Sequence, residues 1–363
     1  MRGACLTAVL AVCWLSTTSA QLQQEVFTVE TLPEPGPNWF IAKTNNGGYI
    51  FDAESGEMQG LLSLSRRTPA VTLSRDRGEF YAPESYMSRG VRGVRTDVVT
   101  VYDFENLSPI AEVEIPNHMA RLSVRNHVGL LNNERHLAVL NMNPGHSVSI
   151  VDVIDRVFVY EISTPGCAVI LPVAENDFLM VCGDGTLQLI QLDISGFEVN
   201  RARSEVFFDV QEDAVFDRTA RTADGWLLIT HSGTVFEVSV SGEQINIGEP
   251  WSIVPEGEED WRPGGDEFLS VHQETGLLYV AMHQGPVDTH HEPGQEIWLV
   301  SVESRRRILR KAMDSPVTSL MVTQETAPRL IAASEEGTEV YDAFTLAHER
   351  TIVAPSAALF EDF

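Results

Sequence analysis

Basic residues, cysteines and long apolar runs are all scarce in this 363-residue sequence. It has 25 Lys and Arg against 52 Asp and Glu, and the resulting net charge of -27 repels phosphate backbones and anionic lipid surfaces. Nucleic-acid binding is therefore close to excluded. Four cysteines in a chain of this length do not indicate a disulfide-stapled mini-domain. The 43% of hydrophobic residues exclude a disordered chain and predict a sizeable core, and the 26 Gly and 18 Pro favour many short strands over long helices.

Residues 1–20 predict a secretory signal peptide. A basic residue near the start is followed by an apolar run at residues 4–15, and small residues precede Gln21 at the expected cleavage site. The run is too short to span a bilayer, and no later stretch reaches the roughly 18 to 20 apolar residues that spanning requires. We therefore expect a soluble exported protein that forms one domain, residues 21–363. The alternative is a lipoprotein modified at Cys13, although a bulky residue precedes that cysteine where a small one is expected.

Two cysteines, Cys167 and Cys182, remain after the predicted cleavage. The residues between them resemble a β-hairpin whose midpoint lies near Ala174 and Glu175, which places the two cysteines opposite one another. Neighbouring strands can bring two cysteine Cα atoms within bridging range, so a cross-strand disulfide is expected in an oxidising compartment. The alternative is two buried free thiols. No Cys or His spacing in the sequence indicates a zinc site.

A strand and turn pattern recurs seven times along the chain. In each copy an apolar strand reaches an Asp or another polar residue, a short turn follows and a second strand begins. The copies lie at residues 48–52, 98–103, 148–152, 186–191, 234–239, 296–301 and 338–342. Their final residues are 51, 49, 39, 48, 62 and 41 positions apart, close to the roughly 40 to 50 residues of one propeller blade. The sequence therefore predicts an all-β fold, a seven-bladed β-propeller of four-stranded antiparallel blades, with an acidic loop at residues 255–265.

Motifs for independent catalysis are missing from the sequence. It contains no GxSxG, no HExxH, no GxxxxGK[ST] and no GxGxxG between a strand and a helix. The nearest approach to a metal-ligating cluster is DTHHE at residues 288–292, which lies in a Pro- and Gly-containing loop. Metal sites usually also draw ligands from elsewhere in the fold. We therefore predict a solvated loop or a subunit contact there and no metal site, with metal binding as the alternative.

Four motifs resemble the heavy-subunit signature of the quinoprotein amine dehydrogenases, the enzymes that act on methylamine or on aromatic amines. In chain order they are SRGVRGVRTD at residues 88–97, PGC and CGDG at 165–167 and 182–185, WRPGG at 261–265, and DTH through EIW at 288–298. The similarity covers nearly all of the predicted mature chain in the same order. The CGDG and EIW residues resemble the aromatic amine branch of the family more closely than the methylamine branch.

The resemblance implies a propeller that pairs with a small, disulfide-rich light subunit in a heterotetramer of two heavy and two light chains. In this family the light subunit carries the tryptophan tryptophylquinone cofactor and the catalytic carboxylate, so the resemblance implies no catalytic residue in this chain. Such enzymes oxidise primary amines to aldehyde and ammonia and pass electrons to a periplasmic cupredoxin. The family also has a disulfide at the positions of Cys167 and Cys182. The alternative is a stand-alone periplasmic propeller that binds another protein or a ligand without enzyme activity.

One position departs from the family pattern. Where the family has a Phe beside the path to the quinone, the position that corresponds in this sequence is Arg66, next to Arg67, and no Phe lies between Phe51 and Phe80. A guanidinium makes this wall of the substrate channel cationic, which repels a protonated amine and attracts a carboxylate. The alternative is that both arginines pair with nearby carboxylates and leave the channel neutral.

Arg and Trp side chains in two of the motifs are candidates for contact with the light subunit, because these residue types are frequent anchors of protein interfaces. The alternative is that the arginines only tie neighbouring blades together through acidic partners. The candidates are Arg89, Arg92, Arg95, Trp261 and Arg262.

Overall fold

Residues 31–363 are described by a computed structural model, and most of them belong to β-strands or to the turns between strands. The predicted signal peptide and the predicted start at Gln21 lie outside the described residues. Seven antiparallel sheets follow one another along the chain as the blades of a propeller, which confirms the predicted fold. Within residues 31–363 the one helical element is the 3₁₀ turn Arg125–His127. No helix of this described part is long and apolar enough to cross a membrane.

The N-terminal half of the chain supplies the strands of the first four blades. Blade 1 contains β1 (Trp39–Lys43), β2 (Gly47–Asp52) and β3 (Met58–Ser63). Blade 2 contains β4 (Thr72–Ser74), β5 (Glu79–Arg89), β6 (Arg92–Asp103) and β7 (Pro109–Ile115). Blade 3 contains β8 (Val128–Leu130), β9 (His136–Asn141), β10 (Ser147–Asp152) and β11 (Val157–Ser163). Blade 4 contains β12 (Cys167–Val173), β13 (Asp177–Cys182), β14 (Leu187–Leu192) and β15 (Glu198–Arg203).

The C-terminal half forms the other three blades and completes the first. Blade 5 contains β16 (Val215–Arg221), β17 (Trp226–Thr230), β18 (Thr234–Ser241), β19 (Gln244–Ile247) and the short β20 (Trp251–Ser252). Blade 6 contains β21 (Trp261–Pro263), β22 (Leu269–His272), β23 (Leu277–Gln284), β24 (Gly294–Ser301) and β25 (Arg306–Val317). Blade 7 contains β26 (Ser319–Val322), β27 (Arg329–Ser334), β28 (Gly337–Asp342) and β29 (His348–Ile352). The last strand, β30 (Leu359–Asp362), pairs with β1 as the innermost strand of blade 1.

Each of the seven sequence repeats lies on the third strand of a blade, counted from the propeller axis. In blade 3 this strand ends at Asp152, whose Oδ1 accepts hydrogen bonds from the backbone N–H groups of Ile154 and Asp155, both at 2.9 Å. The side chains of Asp52 and Asp342 accept turn N–H groups in the same way. An Asp that caps the turn following its own strand explains why an acidic residue recurs at this position.

Strands in the middle of a blade are buried on both faces because the neighbouring blades pack against both sides. Every residue of β10 is buried, whereas the outer strand β15 alternates between partly buried and exposed residues. Where blades 2 and 3 meet, Val101 of β6 packs in one cluster with Leu137 and Val139 of β9. Such contacts between successive sheets form the hydrophobic core that the apolar composition predicts.

The irregular spacing of the repeats has a structural counterpart. The 62-residue interval spans the junction of blades 5 and 6, where residues 253–260 form a loop between β20 and β21. The sequence predicts a loop at residues 255–265; the structure confirms it for residues 255–260, whereas Trp261–Pro263 form β21, which pairs with β23. The ring continues through this junction, because β21 and β22 both pair with β23 of blade 6.

The antiparallel strand order gives the propeller two faces. We call the upper face the one with the connections from the second to the third strand of a blade and from each blade to the next. The lower face has the connections from the first to the second strand and from the third to the fourth. Binding residues of β-propellers and other rigid scaffolds concentrate in such loops.

Candidate functional site

All the predicted channel and light-subunit residues lie at the upper face, either in a connection or at the end of a strand next to one. Arg66 and Arg67 lie between blades 1 and 2, in the segment 63–68 that we call the arginine loop. Residues 88–97 form the hairpin between β5 and β6, and residues 261–265 lie where the chain enters blade 6. The strand topology therefore brings to one face segments that are far apart in the sequence.

The arginine loop is attached to blade 2 through its backbone. The Ser65 N–H donates a hydrogen bond to the carboxylate of Glu84, and the Ser65 hydroxyl donates to the Ser85 carbonyl at 2.8 Å. The Arg66 side chain is exposed and that of Arg67 is partly buried. Within residues 31–363 neither guanidinium comes within 4 Å of a carboxylate. The pairing that would neutralise these arginines is thus not found in the described part of the chain.

A third arginine, Arg121, joins Arg67 and Arg95 at the upper face. It lies in the connection from blade 2 to blade 3. Burial, followed by the positive charges of Arg95 and Arg67, lowers the pKa of Arg121, and the carboxylate of Asp97 opposes this shift. The group places three guanidinium groups close together at this part of the upper face, in a protein whose total charge is -27.

The hairpin of residues 88–97 divides its three arginines between two roles. Arg95 binds the buried Asp97 through two nitrogens, with Nε at 2.7 Å from Oδ1, and also donates to the Met119 carbonyl at 2.9 Å. It therefore ties blade 2 to the following connection, although its acidic partner belongs to its own strand and not to a neighbouring blade. Arg89 and Arg92 lie opposite one another at the exposed tip and form no ion pair within residues 31–363. Their guanidinium groups remain candidates for contact with a partner.

Trp261 is a core residue of blade 6. Its side chain is 7% exposed, and its ring centroid lies 5.4 Å from that of Trp298. The guanidinium carbon of Arg310, on the outermost strand β25, lies 4.8 Å from the centroid of the Trp261 ring and forms a cation–π contact with it. The neighbouring Arg262 is partly buried and donates from Nε to the Gly285 carbonyl at 3.1 Å. Both residues are thus occupied within their own blade, and a contact of either with a light subunit stays a prediction.

The two glycines that end the WRPGG motif allow close packing at the start of blade 6. A Cβ atom on Gly264 would lie 2.6 Å from the carbonyl oxygen of Glu292. Gly265 has a φ of +123°, and its N–H donates to the His290 carbonyl at 3.0 Å. Only glycine adopts this backbone conformation, or lets another backbone segment approach this closely, at little cost in free energy. The motif therefore connects residues 261–265 to the loop that contains DTHHE.

The two cysteines form the disulfide that the hairpin pattern predicts. Cys167 and Cys182 lie opposite one another on β12 and β13, and their sulfur atoms are bonded. The alternative of two free thiols is excluded. The His146 imidazole lies 3.0 Å from the Cys167 carbonyl, and both ends of the bridge are buried at the upper end of blade 4. The bridge thus fixes the entrance to this blade on the same face as the arginines.

The DTHHE loop takes part in a histidine cluster. The ring of His290 lies 4.7 Å from that of His231 and 4.1 Å from that of His291, beside a cavity of about 310 Å³ that Phe216 and Phe268 also line. Burial lowers the pKa values of His231 and His290, and the proximity of other histidines adds to this effect. Within residues 31–363 no group of three His, Cys, Asp or Glu side chains is arranged to hold a metal ion.

Buried charges line the axial channel, the space enclosed by the innermost strands. Arg125 donates from its backbone N–H to Glu267 at 3.0 Å, and its Nε lies 3.5 Å from a carboxylate oxygen of Glu361. Burial raises the pKa of Glu361 to about 8 and lowers that of Lys43 to about 8. Two small cavities, of about 140 and 340 Å³, adjoin Glu361 and Asp362. These charges belong to the propeller axis, apart from the arginine loop.

A larger cavity than these lies on the lower face. It has a volume of about 640 Å³ and is lined by the turns at residues 222–225 and 273–276 of blades 5 and 6. None of the predicted site residues lines it. The geometry therefore favours the upper face, where charge, exposed arginines and the connecting loops come together, as the candidate functional site.

Sequence reasoning missed three residues of this site. Glu84 interrupts an otherwise apolar stretch of β5, and Tyr86 follows two positions later on the same side of the strand. Glu84, an acidic residue within an otherwise apolar strand, was the one feature of the sequence that could have indicated these residues. Arg121 had no signal, since only the fold brings it beside Arg67 and Arg95.

Comparisons with known proteins support the fold and a family. The family profile of the methylamine dehydrogenase heavy chain matches residues 34–353. The methylamine dehydrogenase heavy chain of Methylophilus methylotrophus is 27% identical over 298 residues, which covers 81% of this chain and 73% of the relative. That of Paracoccus versutus is 26% identical over 319 residues, with coverage of 85% and 73%. A protein of unknown function from Desulfotomaculum acetoxidans shares the fold alone, with a TM-score of 0.60, 10% identity and coverage of 89% and 97%.

Proposed function

The chain belongs to the methylamine dehydrogenase heavy-chain family, and from this we propose that it is the heavy subunit of a periplasmic enzyme that oxidises primary amines to aldehyde and ammonia. Its partner in this proposal is a small, disulfide-rich light subunit, two of which join two heavy chains in a heterotetramer. A cupredoxin takes the electrons. The sequence details nearer to the aromatic amine branch favour an amine with an aromatic tail.

The upper face is the proposed docking surface for the light subunit. The observation that supports it is the group of arginines, Arg66, Arg67, Arg89, Arg92 and Arg121, that form no ion pair within residues 31–363 of an otherwise acidic protein. Unpaired guanidinium groups that are exposed on one face suit an acidic partner surface, because complementary charge accelerates association and selects orientation. The rigid blades keep the connecting loops in place for such a contact.

The tryptophan tryptophylquinone cofactor belongs to the light subunit in this proposal, and it supplies the oxidising chemistry when bound. Two tryptophans of the heavy chain, Trp261 and Trp298, are used in packing: the two rings lie 5.4 Å apart, Arg307 lies over the Trp298 ring at 4.2 Å, and the Trp298 N–H donates to Glu296 at 2.8 Å. The residues of this chain therefore fit a role in binding the partner and in shaping the approach of the substrate.

Arg66 and Arg67 are the proposed wall of the substrate channel. In this proposal the substrate channel lies where the arginine loop meets the light subunit. At an effective dielectric constant of about 20, like charges some 6 Å apart repel by roughly 3 kcal/mol before screening. This would disfavour simple cationic amines and favour an amine whose tail carries a carboxylate.

The proposal is tested by reconstitution. The heavy chain purified alone should not reduce a dye in the presence of amines, and activity should appear when it is co-expressed with a cysteine-rich light subunit encoded next to it. The double variant Arg89→Ser/Arg92→Ser should bind the light subunit at least tenfold more weakly, since two charged contacts are lost at the interface. The matched control Arg201→Ser/Arg306→Ser removes the same number of charges away from the upper face and should bind normally.

Two outcomes would contradict this assignment. Amine-dependent dye reduction by the isolated heavy chain would exclude the division of labour between subunits. If correctly folded light subunit is supplied in excess and neither binds nor activates the chain, the second candidate is favoured. That candidate is a stand-alone periplasmic scaffold that binds another protein or ligand.

The periplasmic location has its own test. Protein recovered from the periplasmic fraction should begin near Gln21, because residues 1–20 have the charge, apolar run and small residues of a cleaved signal peptide. N-terminal sequencing and intact mass measurement would detect this. A chain that retains Met1, or a lipid on Cys13, would show that the protein is not exported as a soluble periplasmic subunit.

A further inference from the structure

A fully buried carboxylate, that of Glu84, lies beneath the arginine loop. It accepts hydrogen bonds from the backbone N–H of Ser65 and from three hydroxyls: Thr100 at 2.5 Å, Tyr86 at 2.9 Å and Tyr102 at 3.1 Å. Four donors from the arginine loop, β5 and β6 thus meet at one side chain. A buried charge is tolerated only when such donors satisfy it, so these groups depend on one another for their positions.

Further bonds fix the arginine loop on both sides of its arginines. Before them, the Tyr102 hydroxyl also lies 3.1 Å from the Ser63 carbonyl, so its one proton is shared between this carbonyl and Glu84, and the Ser65 hydroxyl donates to the Ser85 carbonyl at 2.8 Å. After them, the Thr68 hydroxyl donates to the Ser65 carbonyl at 2.9 Å. The backbone of the loop is therefore held against blade 2, while the arginine side chains project from it without an ion pair in the described part of the chain.

Tyr86 presents an aromatic ring beside this loop. Its side chain is 43% exposed, yet its hydroxyl is held by the same Glu84 carboxylate that binds the Ser65 N–H. Burial, followed by the charge of Glu84, raises the pKa of the Tyr86 hydroxyl, which keeps it a hydrogen-bond donor. A ring fixed at its far end offers an apolar surface with little freedom to move, and a guanidinium offers a planar donor for a carboxylate.

We propose that Glu84 is a positioning residue: it holds the hydroxyl of Tyr86 and, through the Ser65 N–H, the backbone next to Arg66, so that the Tyr86 ring and the Arg66 side chain form one composite recognition edge. The edge fits a primary amine whose tail combines an aromatic ring with a carboxylate: the ring packs against Tyr86 and the carboxylate meets Arg66. That the ligand is an amine rests on the proposed function. The positioning of the arginine loop and the Tyr86 ring by Glu84 is independent of the proposed function.

The positioning is tested on the heavy chain alone by limited trypsin digestion. In the Glu84→Gln variant the loop loses its charged acceptor, so cleavage after Arg66 and Arg67 should become at least fivefold faster, measured by mass spectrometry of the released termini. The matched control is Glu79→Gln, which lies on the same strand and binds Tyr81 at 2.8 Å, away from the loop. If Glu84→Gln does not fold, Tyr102→Phe removes one donor to the same carboxylate and one bond to the loop, and should give the same change.

Recognition is tested in the reconstituted enzyme with two probes, benzylamine and 4-(aminomethyl)benzoate. Arg66→Gln should lower kcat/KM for the carboxylate probe at least tenfold relative to benzylamine, and Tyr86→Leu should lower it for both probes about fivefold. Tyr86→Phe keeps the ring but removes the hydroxyl by which Glu84 holds it, so it should lower kcat/KM for both probes, by less than Tyr86→Leu does. Glu84→Gln should raise KM for 4-(aminomethyl)benzoate while kcat stays unchanged, because it disturbs the edge and not the reacting groups.

Each result separates this inference from the proposed function. Absence of amine oxidation in any reconstituted complex would contradict the proposed function, while the trypsin experiment on the isolated chain would still decide the role of Glu84. Trypsin cleavage that is unchanged in folded Glu84→Gln would overturn the positioning. An unchanged ratio of kcat/KM between the two probes in Arg66→Gln, within an active enzyme, would overturn the composite edge.

Discussion

Single residues carry charge into the interior of the propeller. In the axial channel Glu361 faces Arg125 at 3.5 Å and also lies near Glu267, Lys43 and Asp362. Burial is the largest influence on its pKa and raises it to about 8, and the attraction of Arg125 opposes this shift. The carboxyl group therefore binds a proton in the folded protein at pH values where an exposed carboxyl has released it.

This shift predicts how stability depends on pH. Because the folded pKa of Glu361 lies above its ordinary value of 4.5, the contribution of this group to stability is fully present below about pH 4.5 and is lost as the pH rises toward 8. In the Glu361→Gln variant an amide replaces the ionisable group, so the decrease in Tm between pH 5 and pH 8 should be smaller by a few degrees. Differential scanning calorimetry at several pH values measures this. The exposed Glu303 provides the control, since Glu303→Gln should follow the wild-type curve; equal slopes for Glu361→Gln and wild type would contradict the prediction.

At the scale of single elements, the hairpin of β12 and β13 shows how local pattern and covalent chemistry agree. Cys167 pairs in register with Cys182, and Val173 with Asp177 next to the turn. The register shifts between Ala168 and Leu171, yet the cysteines remain opposite one another. The turn fixes the alignment at one end of the hairpin and the disulfide fixes it at the other.

Reduction of this disulfide should destabilise the protein. The bridge links residues 15 positions apart, and a loop of that size constrains the unfolded chain by about 3 kcal/mol in the entropy model. Urea denaturation with and without a reductant should show this loss in the free energy of unfolding. The Cys167→Ala/Cys182→Ala variant should resemble the reduced protein and should not respond to the reductant. A difference below about 1 kcal/mol between oxidised and reduced protein would refute the expectation.

At the scale of the whole molecule, the ring is closed by pairing of strands from the two ends of the described chain. Phe40 to Lys43 of β1 pair with Leu359 to Asp362 of β30. The last residue, Phe363, is buried against Trp39 of blade 1 and Phe80 of blade 2, with ring centroids at 5.6 and 5.4 Å. The final five residues thus complete one blade and join it to the next.

Removal of residues 359–363 should therefore open the ring. The truncated chain leaves β1 with an unpaired edge and exposes apolar surface between blades 1 and 2, so we expect loss of cooperative thermal unfolding and aggregation. The milder Phe363→Ala variant should remain folded and lose about 3 to 5 kcal/mol of unfolding free energy, the usual range for a buried Phe. Circular dichroism melts of the three proteins make the comparison. A truncated chain with the wild-type Tm would show that closure by β30 is unimportant.

The sequence by itself determined the fold, because the repeat is local. Alternating strands, and the Asp that caps the following turn in four of the seven repeats, as at Asp152, are properties of short segments, and the spacing of the repeats counts the blades. The hairpin between Cys167 and Cys182 is likewise local, so its disulfide could be predicted from the residues between the cysteines.

Only the tertiary structure decided which side chains are available at the upper face. The sequence treats Arg89 and Arg95 alike, yet Arg95 is bound to Asp97 and Arg89 lies at an exposed tip. It also cannot show that Glu84 holds the arginine loop through Ser65, since the two residues are 19 positions apart, one in a connection and the other in a strand. Burial, ion pairing and shared hydrogen-bond acceptors depend on distances between segments remote in the chain, and those distances exist only once the ring has closed.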